Sequence, residues 1–128
     1  MLRLCQAEGI GVIPWSPLAR GRLTRDWDES SARSETDEFG KILYAKTAEA
    51  DRRVVERVAE IAARRGVPRA QIALAWLLHK PVVTAPIMGA SKPQHLEDAV
   101  AAFALKLTPE EITELEEPYV PHAVAGFA

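Results

Sequence analysis

The stretch PVVTAPIMGASKPQHLEDAV, residues 81–100, decides the fold. Val82, Val83 and Ile87 are β-branched and sit in a short apolar run, which predicts a strand over 81–87 with Pro86 near its exit. Gly89 then turns the chain. Ser91 is a plausible helix cap with Gln94 three residues on, and Leu96, Val100 and Phe103 recur at helical spacing as a stripe expected to be buried. Strand, glycine turn and helix in twenty residues is one β/α unit.

A second unit of this grammar lies upstream in GVIPWSPLARGRL, residues 11–23. IGVIPW, residues 10–15, is continuous in apolar character, as parallel strands covered on both faces tend to be. It breaks at Ser16-Pro17 into small residues and arginines. Met1 to about Glu8 reads as the tail of a helix that stops at Gly9. Residues 24–47 are charged and rich in Ser, Asp, Glu and Arg, with Trp27, Phe39, Ile42, Leu43 and Tyr44 as anchors, and a loop of that length suggests a lid or an insert.

The remaining segments are helical by period. Val54, Val58 and Ile61 with Val55, Ala59 and Ala62 make one stripe on a helix over 51–65 that Gly66 closes. Pro68 suits the first turn of the next helix, filled by Ile72, Leu74, Ala75, Trp76, Leu77 and Leu78 and ended near His79 by Pro81. In LTPEEITELEEPY, Thr108 caps, Pro109 takes the first turn, Glu111 completes a capping box and Pro118 stops the helix.

Strand, loop, helices, strand, loop, helix is a parallel β/α arrangement, and two parallel strands cannot cover both faces of a sheet by themselves. The fold class is therefore α/β with an incomplete parallel sheet, and residues 1–128 form one segment. In parallel β/α barrels the loops after the seventh and eighth strands bind phosphate beside a helix N-terminus. Gly89, Ser91 and Lys92 suit that task, because glycine admits close backbone approach and unpaired N–H groups at a helix start attract an anion. Taken alone, neither loop distinguishes an anion site from an ordinary strand-ending turn.

Composition narrows the function classes. The chain has 128 residues, 48% apolar content and a net charge of −2, which suits one globular unit with no general pull toward nucleic acid or an anionic membrane. The single cysteine, Cys5, excludes an internal disulfide and is expected to be inert in a reducing compartment. No apolar run is long enough to span a bilayer, and no basic-then-apolar leader opens the chain, so the expected location is the cytoplasm. No metal site is read from the sequence.

Five ordered stretches carry a resemblance: VIPWSPLARGRL, SSARSETDEFGK, RAQIALAWLL, PIMGASKPQHLEDAV and LTPEEITELEEPYVPH. In that order and spacing they resemble the C-terminal part of the aldo-keto reductases, NADPH-dependent barrel enzymes that reduce aldehydes and ketones by hydride transfer, and the resemblance covers essentially the whole chain. It implies that the chain is the C-terminal portion of a (β/α)8 barrel, its last two strands with their helices and incomplete as a barrel, and that NADP(H) is the cofactor. Trp15 matches an aromatic at the nicotinamide end, and Ser16, Pro17, Leu18 and Ala19 match the stretch around the nicotinamide ribose and pyrophosphate. Arg33 matches a basic residue of the long loop over the cofactor, whereas Arg25 and Asp26 stand where the family often has a Lys. Gly89 and Ser91, with Lys92 beside them, match the neighbourhood of the adenosine 2′-phosphate. His95 occupies a position often held by Gln or Arg, and Asp98 one often held by Glu. Ala99 replaces an Asn that hydrogen-bonds adenine, a bond alanine cannot make.

The resemblance also implies what the chain lacks. The family's catalytic Asp, Tyr, Lys and His come from the first half of the barrel, and none of their motifs is present, so no catalytic residue is assigned and the chain alone is expected to be nearly inactive. A small-molecule carbonyl is the expected substrate once the missing half is supplied.

Two other readings compete. A half-barrel that binds cofactor or pairs with another chain would be non-catalytic and would form an oligomer. Residues 64–78, RRGVPRAQIALAWLL, invite a helix-turn-helix DNA-binding reading with arginines at 52, 53, 57, 64, 65 and 69. Against it, the second helix is nearly all apolar and Glu56 and Glu60 interrupt the basic face, so neither a nucleic acid nor a membrane is expected as partner. His79 and His122 read as capping or surface residues, and Tyr44 and Tyr119 as packing residues.

Overall fold

The computed structural model describes residues 1–29 and 37–123. Its elements are helix α1 (Leu2–Ala7), a 3-10 turn (Ala19–Thr24), and helices α2 (Glu38–Tyr44), α3 (Ala48–Arg65), α4 (Arg69–Leu78), α5 (Pro93–Ala101) and α6 (Pro109–Glu116). Arg33, with the rest of the segment 30–36, lies outside the described residues.

The two expected strands are found only as two isolated parallel bridges, Val12 with Val83 and Trp15 with Ile87. The Val12 N–H donates to Val82 O at 3.1 Å, the Thr84 N–H to Val12 O at 2.8 Å and the Ile87 N–H to Pro14 O at 2.8 Å. The reason for the interruption is chemical. Pro14 and Pro86 each lack the N–H a ladder needs, and both lie between the bridges. Two residues lie between the bridged positions on the first segment and three on the second, so the second carries one extra residue and the register slips between them.

The core is helical. Val58, Ile61 and Ala62 of α3, Ile72 and Ala75 of α4, Leu115 of α6 and Leu107 just before α6 form one buried cluster, with Leu23 of the 3-10 turn, Val67, Trp76, Leu105 and Ile112 packed on it. Ile61 and Ile72 are fully buried. The stripe expected on α3 is the one observed, because residues three and four apart share a helix face. The helix starts at Ala48, three residues earlier than the periodic pattern indicates, and Gly66 closes it in the left-handed conformation at φ 64°. Pro68 sits at the N-cap of α4 rather than inside its first turn.

Five of the six arginines of the supposed DNA-binding face make contacts within the chain. Arg64 pairs with Glu114 at 2.5 Å and Arg65 with Glu111 at 2.6 Å, and Arg57 donates to the Glu114 carbonyl at 2.8 Å. These contacts seat α6 on α3. Arg52 pairs with Glu56 along α3, and Arg69 of α4 holds Asp26.

Helix α5 departs from expectation in two ways. Its N-cap is Lys92, with Pro93 in the first turn, so Ser91 does not cap it. Proline at the first helical position sets the helix start one residue past the serine. Leu96, Val100 and Phe103 are 60%, 61% and 65% exposed rather than buried. The face of α5 turned to α4 is instead the one carrying Asp98, which accepts a hydrogen bond from Gln71 at 3.1 Å. The long segment 24–47 is not all loop either, since Asp37 caps α2 by accepting the Gly40 N–H at 2.9 Å.

Candidate functional site

Because the two paired segments run parallel, the loops at their C-terminal ends emerge on the same side. Residues 16–21 leave from Trp15 and residues 88–92 from Ile87, and those two residues are themselves a bridge. Positions more than seventy residues apart in the chain are thereby brought side by side.

The first loop is a tight left-handed turn. Ser16, Ala19 and Arg20 have φ of 51°, 48° and 56°, and Gly21 comes next at 90°. For an L residue this region costs about 1–2 kcal/mol, so three such residues in five positions need support from outside the turn. Within it, the Ala19 N–H donates to Ser16 O and the Gly21 N–H to Leu18 O, both at 2.9 Å. Pro17 and Leu18 are half-buried, and Leu23 anchors the far end in the core. Trp15 stands 55% exposed at the start, with one side of its ring stacked on Phe39 at 6.3 Å between centroids.

The second loop is open. A side chain at Gly89 would meet nothing within 4 Å, and Ser91, Lys92 and His95 are exposed. Ser91 Oγ lies 3.5 Å from His95 Nδ1, across one turn of α5. The first turn of α5 has no side-chain cap and no acidic residue. An uncapped helix start with no acidic residue in its first turn is a favourable place for an anion. Asp98 is not part of this cluster, since its carboxylate is shared between Gln71 and Gln94, at 3.1 and 3.3 Å. Its observed work is to dock α5 on α4.

Three residues carry no signal of this kind in the sequence. Arg20 forms a two-point ion pair with Asp37, Nη2 to Oδ1 at 2.8 Å and Nε to Oδ2, and its guanidinium lies 5.8 Å from the Phe39 ring centre. The Asp37 hydrogen bonds raise the Arg20 pKa above its ordinary value. An Asp opening a helix is a readable cap. A partner seventeen residues upstream is not readable. Arg22, next along the turn, lies between Trp27 and Tyr44, at 5.4 and 4.8 Å from their ring centres. Burial pushes the Tyr44 hydroxyl pKa up, which suits the packing role expected of it. A cleft of about 440 Å³ beside Arg22, Trp27 and Tyr44 is lined, among the described residues, by none of those matched to cofactor binding.

His79 caps α4 locally, its Nδ1 2.8 Å from Ala75 O. Among the described residues, no His, Cys, Asp and Glu side chains gather as a metal site, and no helix is long and apolar enough to cross a membrane.

Comparison with known proteins agrees with the sequence resemblance. The aldo/keto reductase family model matches residues 1–119. The chain is 44% identical to versiconal hemiacetal acetate reductase of Aspergillus parasiticus over 97% of its own length and 36% of that protein. It is 42% identical to an aldo-keto reductase of Fusarium vanettenii over its whole length and 34% of that protein. Among solved structures it resembles the thermostable aldo-keto reductase Tm1743 in complex with the inhibitor epalrestat, with a TM-score of 0.63 and 28% identity over 92% of this chain and 33% of that one. The chain thus spans about a third of the length of the proteins it matches.

Proposed function

The chain belongs to the aldo/keto reductase family, and from that premise we propose that it carries the NADP(H)-binding loops of an oxidoreductase that reduces aldehydes or ketones. The observation that carries this reading is the parallel pairing of Trp15 with Ile87, which brings the left-handed turn after one segment beside the open loop and uncapped helix after the other.

The residues present fit the cofactor at both ends. Gly89 leaves open space at the backbone, and exposed Ser91 and Lys92 stand at a helix start whose first turn holds no acidic residue. That combination suits a 2′-phosphate, through two donors and a helix dipole. Trp15 offers an aromatic face at the other end, and the Ser16–Ala19 backbone turns tightly beside it. Adenine is left with Ala99, which offers no hydrogen bond, so the phosphate contacts carry more of the affinity. When bound, NADPH supplies the hydride for a carbonyl carbon.

The proton for the carbonyl oxygen must come from elsewhere. General acid catalysis contributes about 10²–10⁴ to such a step, and the family's Asp, Tyr, Lys and His motif has no counterpart among the residues of this chain. Its own residues bind and orient the cofactor. With one cysteine in the whole sequence, the chain suits a reducing cytoplasm.

Titration with NADPH by isothermal calorimetry tests this reading. Micromolar to millimolar binding, weakened by Lys92→Ala more for NADPH than for NADH, is the expected result; equal loss for both would remove Lys92 from the 2′-phosphate. Turnover of an aldehyde at a rate typical of full-length reductases would contradict the missing-acid argument.

A second reading rests on a separate observation. Ile13, Leu96, Val100 and Phe103 are each at least 60% exposed, and large exposed apolar side chains that gather in a patch mark interaction surfaces. A half-barrel module that pairs with another chain would cover them, and light scattering at rising concentration reports whether it does.

A further inference from the structure

We propose that Arg20 and Asp37 are positioning residues whose two-point ion pair holds the left-handed turn Ser16–Gly21 in the shape that meets the dinucleotide. The inference rests on the cofactor reading above. The turn contains three non-glycine residues at positive φ, a conformation each of them disfavours in isolation, so something outside it must select that shape.

The selecting contacts converge from one short segment, residues 37–40. Arg20 presents Nε and Nη2 to the two oxygens of Asp37, the planar fork-to-fork arrangement that fixes direction as well as distance. The carboxylate is itself held, since its Oδ1 accepts the Gly40 N–H at 2.9 Å. Gly40 is buried, and a Cβ there would sit 2.5 Å from Asp37 Oδ2, so glycine is what leaves room for the carboxylate. Phe39, between them in sequence, lies 5.8 Å under the Arg20 guanidinium and stacks on Trp15 at 6.3 Å. The start and the end of the strained turn are thus tied to the same four residues. Phe39 backs one side of the Trp15 ring and leaves the rest of a half-exposed indole free.

A merely structural role for the pair would be to cap α2. The cap and the pair are separable, because the Asp37–Gly40 hydrogen bond does not involve Arg20. Arg20→Ala and Arg20→Lys therefore test the pair with the cap intact, and Asp37→Asn, which keeps an Oδ1 acceptor for the Gly40 N–H, removes the charge of the pair from the other side. NADPH affinity by calorimetry is the first readout, and the three-bond HN–Hα couplings of Ser16 and Ala19 in the full chain are the second.

Arg20→Ala is expected to weaken NADPH binding by about tenfold, as loss of a charge-assisted contact would. Arg20→Lys is expected to fall between it and the wild type, and the double variant Arg20→Ala with Asp37→Asn to be no weaker than the worse single one. The couplings should move toward averaged values in each variant. Unchanged affinity with altered couplings would show that the cofactor does not need this turn shape, and unchanged couplings would show that the pair does not hold it; either overturns the proposal. A wild-type chain that binds no NADPH overturns the cofactor reading and this inference together, and is told apart because the failure precedes any substitution.

Discussion

Thr108 Oγ accepts the Glu111 N–H at 3.2 Å while the Glu111 carboxylate accepts the Thr108 N–H at 2.8 Å. This reciprocal cap was legible in the sequence because both partners lie within one helical turn. Thr108→Ala is expected to cost about 1 kcal/mol, read as a lower denaturant midpoint. Glu111 does a second task that was not legible: its carboxylate takes two hydrogen bonds from Arg65, forty-six residues away, each at 2.6 Å. Chiefly through Arg65, its pKa is held at about 2, against an ordinary 4.5. A carboxylate whose folded value lies below its unfolded one stabilises fully above pH 4.5, and that contribution fades as pH falls toward 2. Denaturant midpoints measured across this window should fall in the wild type and change less in Glu111→Gln. The candidate site divides in the same way. Gly89, Ser91 and Lys92 could be found as a local motif, whereas Arg20, Asp37 and Phe39 could not, since nothing periodic joins them.

A strong stop such as Gly66 shows a helix's limit in sequence, while its environment shows only in the fold. Gly66 ends α3 at φ 64° with free space around it, so Gly66→Ala is penalised by backbone conformation alone. A loss of about 1 kcal/mol by thermal unfolding is expected. Ile61 and Ile72 lock α3 to α4, and truncating either to alanine is expected to cost about 2–5 kcal/mol in chemical denaturation, the usual range for a fully buried isoleucine. The apolar stripe of α5 has the same spacing as that of α3 but the opposite exposure. Periodicity reports that a helix has an apolar side, and says nothing of what lies against it. Leu96→Ser on α5 should therefore leave the denaturant midpoint within about 0.5 kcal/mol of the wild type, since an exposed side chain loses no packing.

At the scale of the molecule, a helical core of α3, α4 and α6 supports two paired segments and two loops, and apolar surface is left on α5 and at Ile13. If that surface associates, Phe103→Ser should lower the apparent mass seen by light scattering at high concentration; an unchanged mass would remove Phe103 from any contact. The sequence by itself determined that helices lie over α3, α4, α5 and α6, the capping box of α6, the Gly66 stop of α3 and the family to which the motifs belong, because those signals act over four residues or fewer or recur in order along the chain. Only the tertiary structure decided that the expected strands pair as two bridges around Pro14 and Pro86, that the α5 stripe faces outward, and that Arg20 meets Asp37. Those outcomes depend on which distant group occupies the other side of a contact, and pairing across seventy residues is a property of packing that no local pattern encodes.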